Sequence, residues 1–199
     1  ISIDNFNRPI KLNGNGATFG EIEFWITGSD NIVLDGFNLT LTDHTASLIY
    51  VQGNNITISN SILNFKSFSP NCVIRAESTN GLNILNNVIT YVGTDGTNTQ
   101  NAIRVKDSTN IAVEGNTFNI TIPSSPVEYD TLYNGKSFTD GIVITGENII
   151  VKRNKITLRY NNVTGAEDTI NVLVIGTNDV DQSDDFTNVA KNVTVEDNE

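Results

Sequence analysis

The sequence predicts an all-β fold: a parallel β-helix of about six coils, each of three short strands, stacked as a solenoid. Three observations predict it. One polar phrase with apolar residues at alternate positions recurs six times, as in residues 32–34, 56–58 and 111–113. The interval between copies starts at 24 residues, from Ile32 to Ile56, and grows by insertion. About thirty asparagines fall mainly at the corners between apolar runs rather than in one tract. Period-two alternation is the pattern of a strand with one buried face. A corner amide tolerates the left-handed backbone that a sharp turn needs.

The first strand of each unit reads Glu23-Phe24-Trp25-Ile26, then Leu48-Ile49-Tyr50-Val51, Val73-Ile74-Arg75-Ala76, Ala102-Ile103-Arg104-Val105, Ile142-Val143-Ile144 and Asn171-Val172-Leu173-Val174. The second follows a polar corner and reads Ile32-Val33-Leu34, Ile56-Thr57-Ile58, Leu82-Asn83-Ile84, Ile111-Ala112-Val113, Ile149-Ile150-Val151 and Val193-Thr194-Val195. The third comes after another turn, at Asn38-Leu39, Ile62-Leu63, Val88-Ile89, Thr117-Phe118 and Lys155-Ile156. No single unit can bury its own apolar face, whereas stacking in register buries a continuous Ile/Val/Leu column. A leucine-rich repeat shares the apolar-x-apolar-x-x-Asn spacing. It would place a helical or irregular stretch where this chain has further alternation, such as Ile103-Arg104-Val105, so the β-helix is the expectation.

Bulk properties agree with one domain spanning 1–199. The 199-residue length allows a sizeable core, and the net charge of −11 opposes nucleic acid and anionic surfaces. The single cysteine, Cys72, forbids an intrachain disulfide and sits in an apolar context that favours burial. No apolar run is long enough for a membrane span. The chain begins at Ile1 in mid-phrase and stops within a unit. The expectation is therefore a fragment of a longer surface protein, its bare apolar end covered by further residues or by a partner.

These repeats resemble the right-handed parallel β-helices of the pectin-lyase-like superfamily, over about residues 15 to 199. Their Asn/Ile/Thr-rich wording is similar to the adhesin-like surface proteins of methanogenic archaea. The resemblance implies a ladder of asparagine side chains at the short second corner. Asn87, Asn116, Asn154 and Asn198 match that column, while Ser61 and Phe37 interrupt it at the N-terminal end. It also implies that the sheet of first strands floors a substrate groove, and that the site of action is extracellular, at the cell surface.

Insertions mark the same face. The corner after the third strand lengthens at 91–100, 121–140 and 158–169, and the corner after the last first-strand lengthens at 176–191. Long loops beside one sheet are where solenoids bind partners. With Phe24, Ile26, Ile49, Val51, Ile74, Ala76, Ile103 and Val105 inward, Trp25, Tyr50, Arg75, Arg104, Val143 and Leu173 point outward in one column. Strands about 4.8 Å apart make Trp25 to Arg104 roughly 14 Å long, enough for a few sugar rings. Aromatic faces stack on pyranose rings and guanidinium groups bind carboxylate or hydroxyl pairs. Trp25, Tyr50, Arg75, Arg104 and Lys106 are therefore the candidate ligand-binding residues. The alternative is that they only pack the sheet face.

Catalytic and metal patterns are thinner. A polygalacturonase would need paired groove aspartates, Gly-His-Gly and Arg-x-Lys; only Arg104-Val105-Lys106 is present, and the one histidine, His44, lacks flanking glycines. A pectate lyase would need an acidic calcium cluster, and here Glu23 and Glu77 stand among Arg75, Arg104 and Lys106. No catalytic residue is assigned. Asp179, Asp181, Asp184 and Asp185 open like a calcium loop, but Asp184 stands where glycine is needed and Ala190 where a closing glutamate is needed. A weak calcium site there competes with a solvated acidic loop, and no other cofactor is expected. The functional expectation is a non-catalytic adhesion or glycan-binding module whose partner is a cell-surface glycan or another cell's surface protein. A polysaccharide lyase or glycoside hydrolase using the same groove is the alternative, and a structural stalk is a third reading.

Overall fold

The structure, a computed structural model, describes residues 1–42, 47–67, 72–93, 101–122, 138–160, 169–176 and 190–199. Among the described residues all regular structure is β. The first repeat is β1 (Ser2–Asp4), β2 (Ile10–Asn13) and β3 (Thr18–Gly20), and the second is β4 (Phe24–Asp30), β5 (Ile32–Asp35) and β6 (Asn38–Thr42). First and second strands then run together as β7 (Ile49–Ser59), followed by β8 (Ile62–Ser67). They separate again in β9 (Ile74–Glu77) and β10 (Asn80–Leu85), with β11 (Val88–Gly93) as the third strand. The fused form returns in β12 (Ile103–Glu114) with β13 (Thr117–Ile122), and in β14 (Phe138–Lys152) with β15 (Lys155–Tyr160). β16 (Thr169–Ile175) and β17 (Lys191–Glu196) follow.

The pairings among these strands are parallel and join each repeat to the next. The first strands set Trp25 opposite Tyr50, Tyr50 opposite Arg75, and Arg75 opposite Arg104. Third strands form a separate six-stranded sheet in the order β15-β13-β11-β8-β6-β3. The corner residues Asn31 and Asn55 lie 24 residues apart in sequence, and Asn148 and Asn192 lie 44 apart, yet both pairs touch. Insertions therefore lengthen the chain between repeats without breaking their register, as a solenoid-like fold allows. No helix among the described residues is long and apolar enough to cross a membrane.

The alternation does what the sequence asks of it. Ile26, Val51, Ile74, Ala76, Ile103 and Ile144 are buried on the inner face of the first strands, and Ile56, Ile58, Leu82, Ile84 and Val113 on that of the second. Leu63, Phe65, Ile89, Tyr91 and Phe118 close the core from the third side. Each such Val, Leu, Ile or Phe side chain contributes roughly 1.5–3 kcal/mol by leaving water.

Two features depart from the sequence reading. The sequence reading starts its first full unit at Glu23, yet β1, β2 and β3 form an earlier repeat that pairs in register with β4, β5 and β6. Their strands are short and half exposed, and their alternation is too brief to stand out. The outward column also ends differently, because Val143 pairs with Val174 and Leu173 pairs with the buried Ile142. Leu173 thus belongs to the inner row, packed against the core, and not to the outward one.

Two internal columns hold the corners. At the second corner, Asn116 Oδ1 accepts from the backbone N–H and Nδ2 of Asn87, at 2.9 and 3.1 Å, while Asn116 Nδ2 donates to the Ile84 carbonyl at 2.8 Å. Asn154 and Asn198 repeat the arrangement. Ser61 continues it with a hydroxyl that accepts from the Phe37 N–H, and Phe37 replaces the amide with ring contacts to Phe19 and Phe24. At the first corner a hydroxyl column does similar work: Ser108 Oγ accepts from the Thr79 N–H and donates to the Lys106 carbonyl. Gly53 stands in this column because a Cβ there would collide with the Ser29 carbonyl oxygen.

Candidate functional site

The outward face of the first strands carries a column of aromatic and charged side chains. Phe24 and Ile26 flank Trp25 in sequence and are buried, so alternation leaves the indole outside; it is 41% exposed. The same logic turns out Tyr50, Arg75 and Arg104, each partly exposed, from β7, β9 and β12. Two residues further along each strand a second column forms, in which Glu77 stands opposite Lys106. All five proposed ligand-binding residues, Trp25, Tyr50, Arg75, Arg104 and Lys106, are thus brought onto adjacent strands of one face.

The side chains of this face are tied to one another. Arg75 donates through Nε and Nη2 to Glu77 Oε1, at 2.8 and 2.6 Å. Glu77 Oε2 accepts the Tyr50 hydroxyl at 3.0 Å. The Arg75 guanidinium lies 5.9 Å from the centre of the Tyr50 ring, within range of a cation–π contact. The Tyr50 ring centre is 5.0 Å from that of Trp25, with the planes tilted by 41°. Trp25 Nε1 donates to Glu23 Oε2 at 2.9 Å. Arg104 and Lys106 also engage partners.

The titration behaviour follows from these contacts. Partial burial opposes the charged form of Glu77, but hydrogen bonds from Arg75 and Tyr50 and the nearby charges of Arg75 and Arg104 outweigh it, holding the carboxyl below its ordinary range. Burial and the Glu77 carboxylate together push the Tyr50 phenol upward, keeping it a neutral donor. Behind the column, burial pushes the Cys72 thiol up to about 12, leaving it un-ionised. The face therefore offers ring surfaces and a pre-formed ion pair. Both Glu77 oxygens are already used by neighbours, which disfavours it as a calcium ligand or a general base.

Val143 belongs to the column but is buried, 7% exposed, so its outer surface there is covered. Asp179, Asp181, Asp184 and Asp185, together with His44, lie outside the described residues. Among the described residues no three His, Cys, Asp or Glu side chains come together to hold a metal. Sequence reasoning named Glu77 only as an acidic neighbour and missed its place at the centre of the network. The available signal was the x-Arg-x-Glu alternation of Ile74-Arg75-Ala76-Glu77, which puts both charges on the same face. No family model matches the chain, and no curated protein or solved structure is significantly similar to it.

Proposed function

We propose that the chain is a stretch of right-handed parallel β-helix of about six coils, and that it works at a cell surface as a non-catalytic adhesion or glycan-binding module. The carrying observation is the Trp25–Tyr50 pair: two rings 5.0 Å apart on an outward face, one of them 41% exposed. A half-exposed tryptophan beside a second aromatic is a surface on which the apolar face of a sugar ring can stack. The repeat style, similar to archaeal adhesin-like proteins, supports the same reading. The closed Arg75–Glu77–Tyr50 network supports binding over lyase or hydrolase chemistry, since its carboxylate and guanidinium are engaged with each other.

A site this small binds one glycan weakly, with a Kd near 1 mM corresponding to about −4 kcal/mol, and gains strength from many copies on one surface. A glycan array probed with wild type and with the Trp25→Ala/Tyr50→Ala double variant tests the proposal. Wild type is expected to retain sugars that the variant loses. No retained sugar for either protein would leave the stalk reading, and new reducing ends or unsaturated products from polysaccharide would establish an enzyme instead.

A further inference from the structure

Resting on that reading, we infer that the platform selects uncharged hexopyranosides and discriminates against uronates, with Glu77 as the discriminating residue. A uronate carboxylate is best recognised by a guanidinium edge that offers two parallel N–H groups. On Arg75 the Nε and Nη2 groups already point at Glu77 Oε1, at 2.8 and 2.6 Å. A sugar carboxylate would have to displace one that belongs to the same chain and needs no association to stay in place. It would also approach Glu77 and the Glu23 carboxylate beside Trp25, on a molecule of net charge −11, while the remaining cations of the face, Arg104 and Lys106, already engage partners.

A neutral sugar meets none of this resistance. The Tyr50 hydroxyl and the Trp25 indole N–H are directed at Glu77 and Glu23, and the Tyr50 ring packs between Trp25 and Arg75, so the 41% exposed Trp25 indole, backed by Tyr50, presents the free ring surface. Ring faces attract the axial C–H groups of a pyranose whatever its hydroxyl pattern, and they ask for no charge. Discrimination therefore comes from a carboxylate already seated where the ligand's would go.

Trp25 is the only tryptophan in the chain, so its fluorescence reports on this platform alone. The test titrates the protein with matched pairs of oligosaccharides built from glucose or glucuronate, galactose or galacturonate, and mannose or mannuronate, reading Trp25 emission alongside calorimetry. The expected result is that at least one neutral oligomer shifts the emission and binds about tenfold or more tighter than its uronate partner. The Glu77→Gln variant, which removes the competing negative charge and weakens the hold on the Arg75 edge, should narrow or reverse that preference. Uronates binding wild type as well as or better than neutral sugars would overturn the inference while leaving glycan binding intact. A preference unchanged in folded Glu77→Gln would remove Glu77 as its cause. No response to any of the oligomers would sink both the inference and the glycan-binding reading.

Discussion

Within a single repeat, the second corner and the outward face of the first strand use their polar atoms in opposite ways. Asn116, 1% exposed, spends its amide on backbone groups of the preceding repeat and on the amides above and below it. The Glu77 carboxylate, partly exposed, bonds among the described residues to side chains of the same face, Arg75 and Tyr50. Backbone donors that depend on a buried side chain have no substitute once it is removed, because water does not reach them. Side chains that depend on each other at the surface can turn to solvent. The corner is therefore where the fold is vulnerable, and the face is where the sequence is free to vary with a ligand.

The sharpest way to break this contrast is Asn116→Ala. It removes the acceptor for two Asn87 donors and the donor to Ile84, all buried. At 1–3 kcal/mol for each of the three orphaned groups, unfolding free energy should fall by about 3–9 kcal/mol. Urea denaturation with unchanged slope would measure it. A loss under about 1 kcal/mol would show that the ladder is incidental. Ser108→Ala at the other corner orphans the buried Thr79 N–H, while the Lys106 carbonyl, only part-buried, can turn to water, so one group's worth, about 1–3 kcal/mol, is expected by the same measurement. The hydroxyl column should thus rank below the amide column.

How far each region was legible in the sequence follows from the same physics. The amide ladder is implied by the β-helix resemblance, and its column at Asn87, Asn116, Asn154 and Asn198 stands out in the sequence because a buried corner accepts few residue types and repeats its choice. Ser61 and Phe37 were recognisable as breaks for that reason. The hydroxyl column is hard to see in the sequence because Ser29, Thr79, Ser108 and Thr145 share their corner with Gly53 and Gly146, and small polar residues are common at any turn. The outward column was visible as unlike neighbours at a fixed phase, Trp25, Tyr50, Arg75 and Arg104. Its wiring through Glu77 was not, since which charges meet depends on the register between strands. The slip at Leu173 has the same origin: an apolar run such as Val172-Leu173-Val174-Ile175 fits the alternation in either phase.

Acid should act on surface pairs before it touches the amide ladder, which has no proton to gain near neutral pH. Hydrogen bonds from Lys11, Asn60 and Ser59 lower the Asp35 carboxyl from 3.8 to about 2. A folded-state value below the unfolded one means this stabilisation is present above pH 3.8 and is lost as the pH falls through about 2. The urea midpoint should therefore drop between about pH 4 and pH 2, and Lys11→Met should flatten that drop. Equal slopes for the two proteins would show that Lys11 does not hold Asp35 in solution.

The smallest stability effect belongs to Tyr50→Phe, and it is the most discriminating for the face. The substitution deletes the 3.0 Å hydrogen bond to Glu77 but keeps the ring that sits 5.0 Å from Trp25. Glu77 retains Arg75, and water can reach the vacated Oε2 because the Glu77 side chain is 27% exposed. Stability should change by less than about 1 kcal/mol. Sugar binding should survive if ring stacking carries it, whereas Tyr50→Ala should weaken it severalfold at similar stability. Should Tyr50→Phe abolish binding as fully as Tyr50→Ala, the hydroxyl and its bond to Glu77 would be the recognition element, and the face would resemble the corner after all.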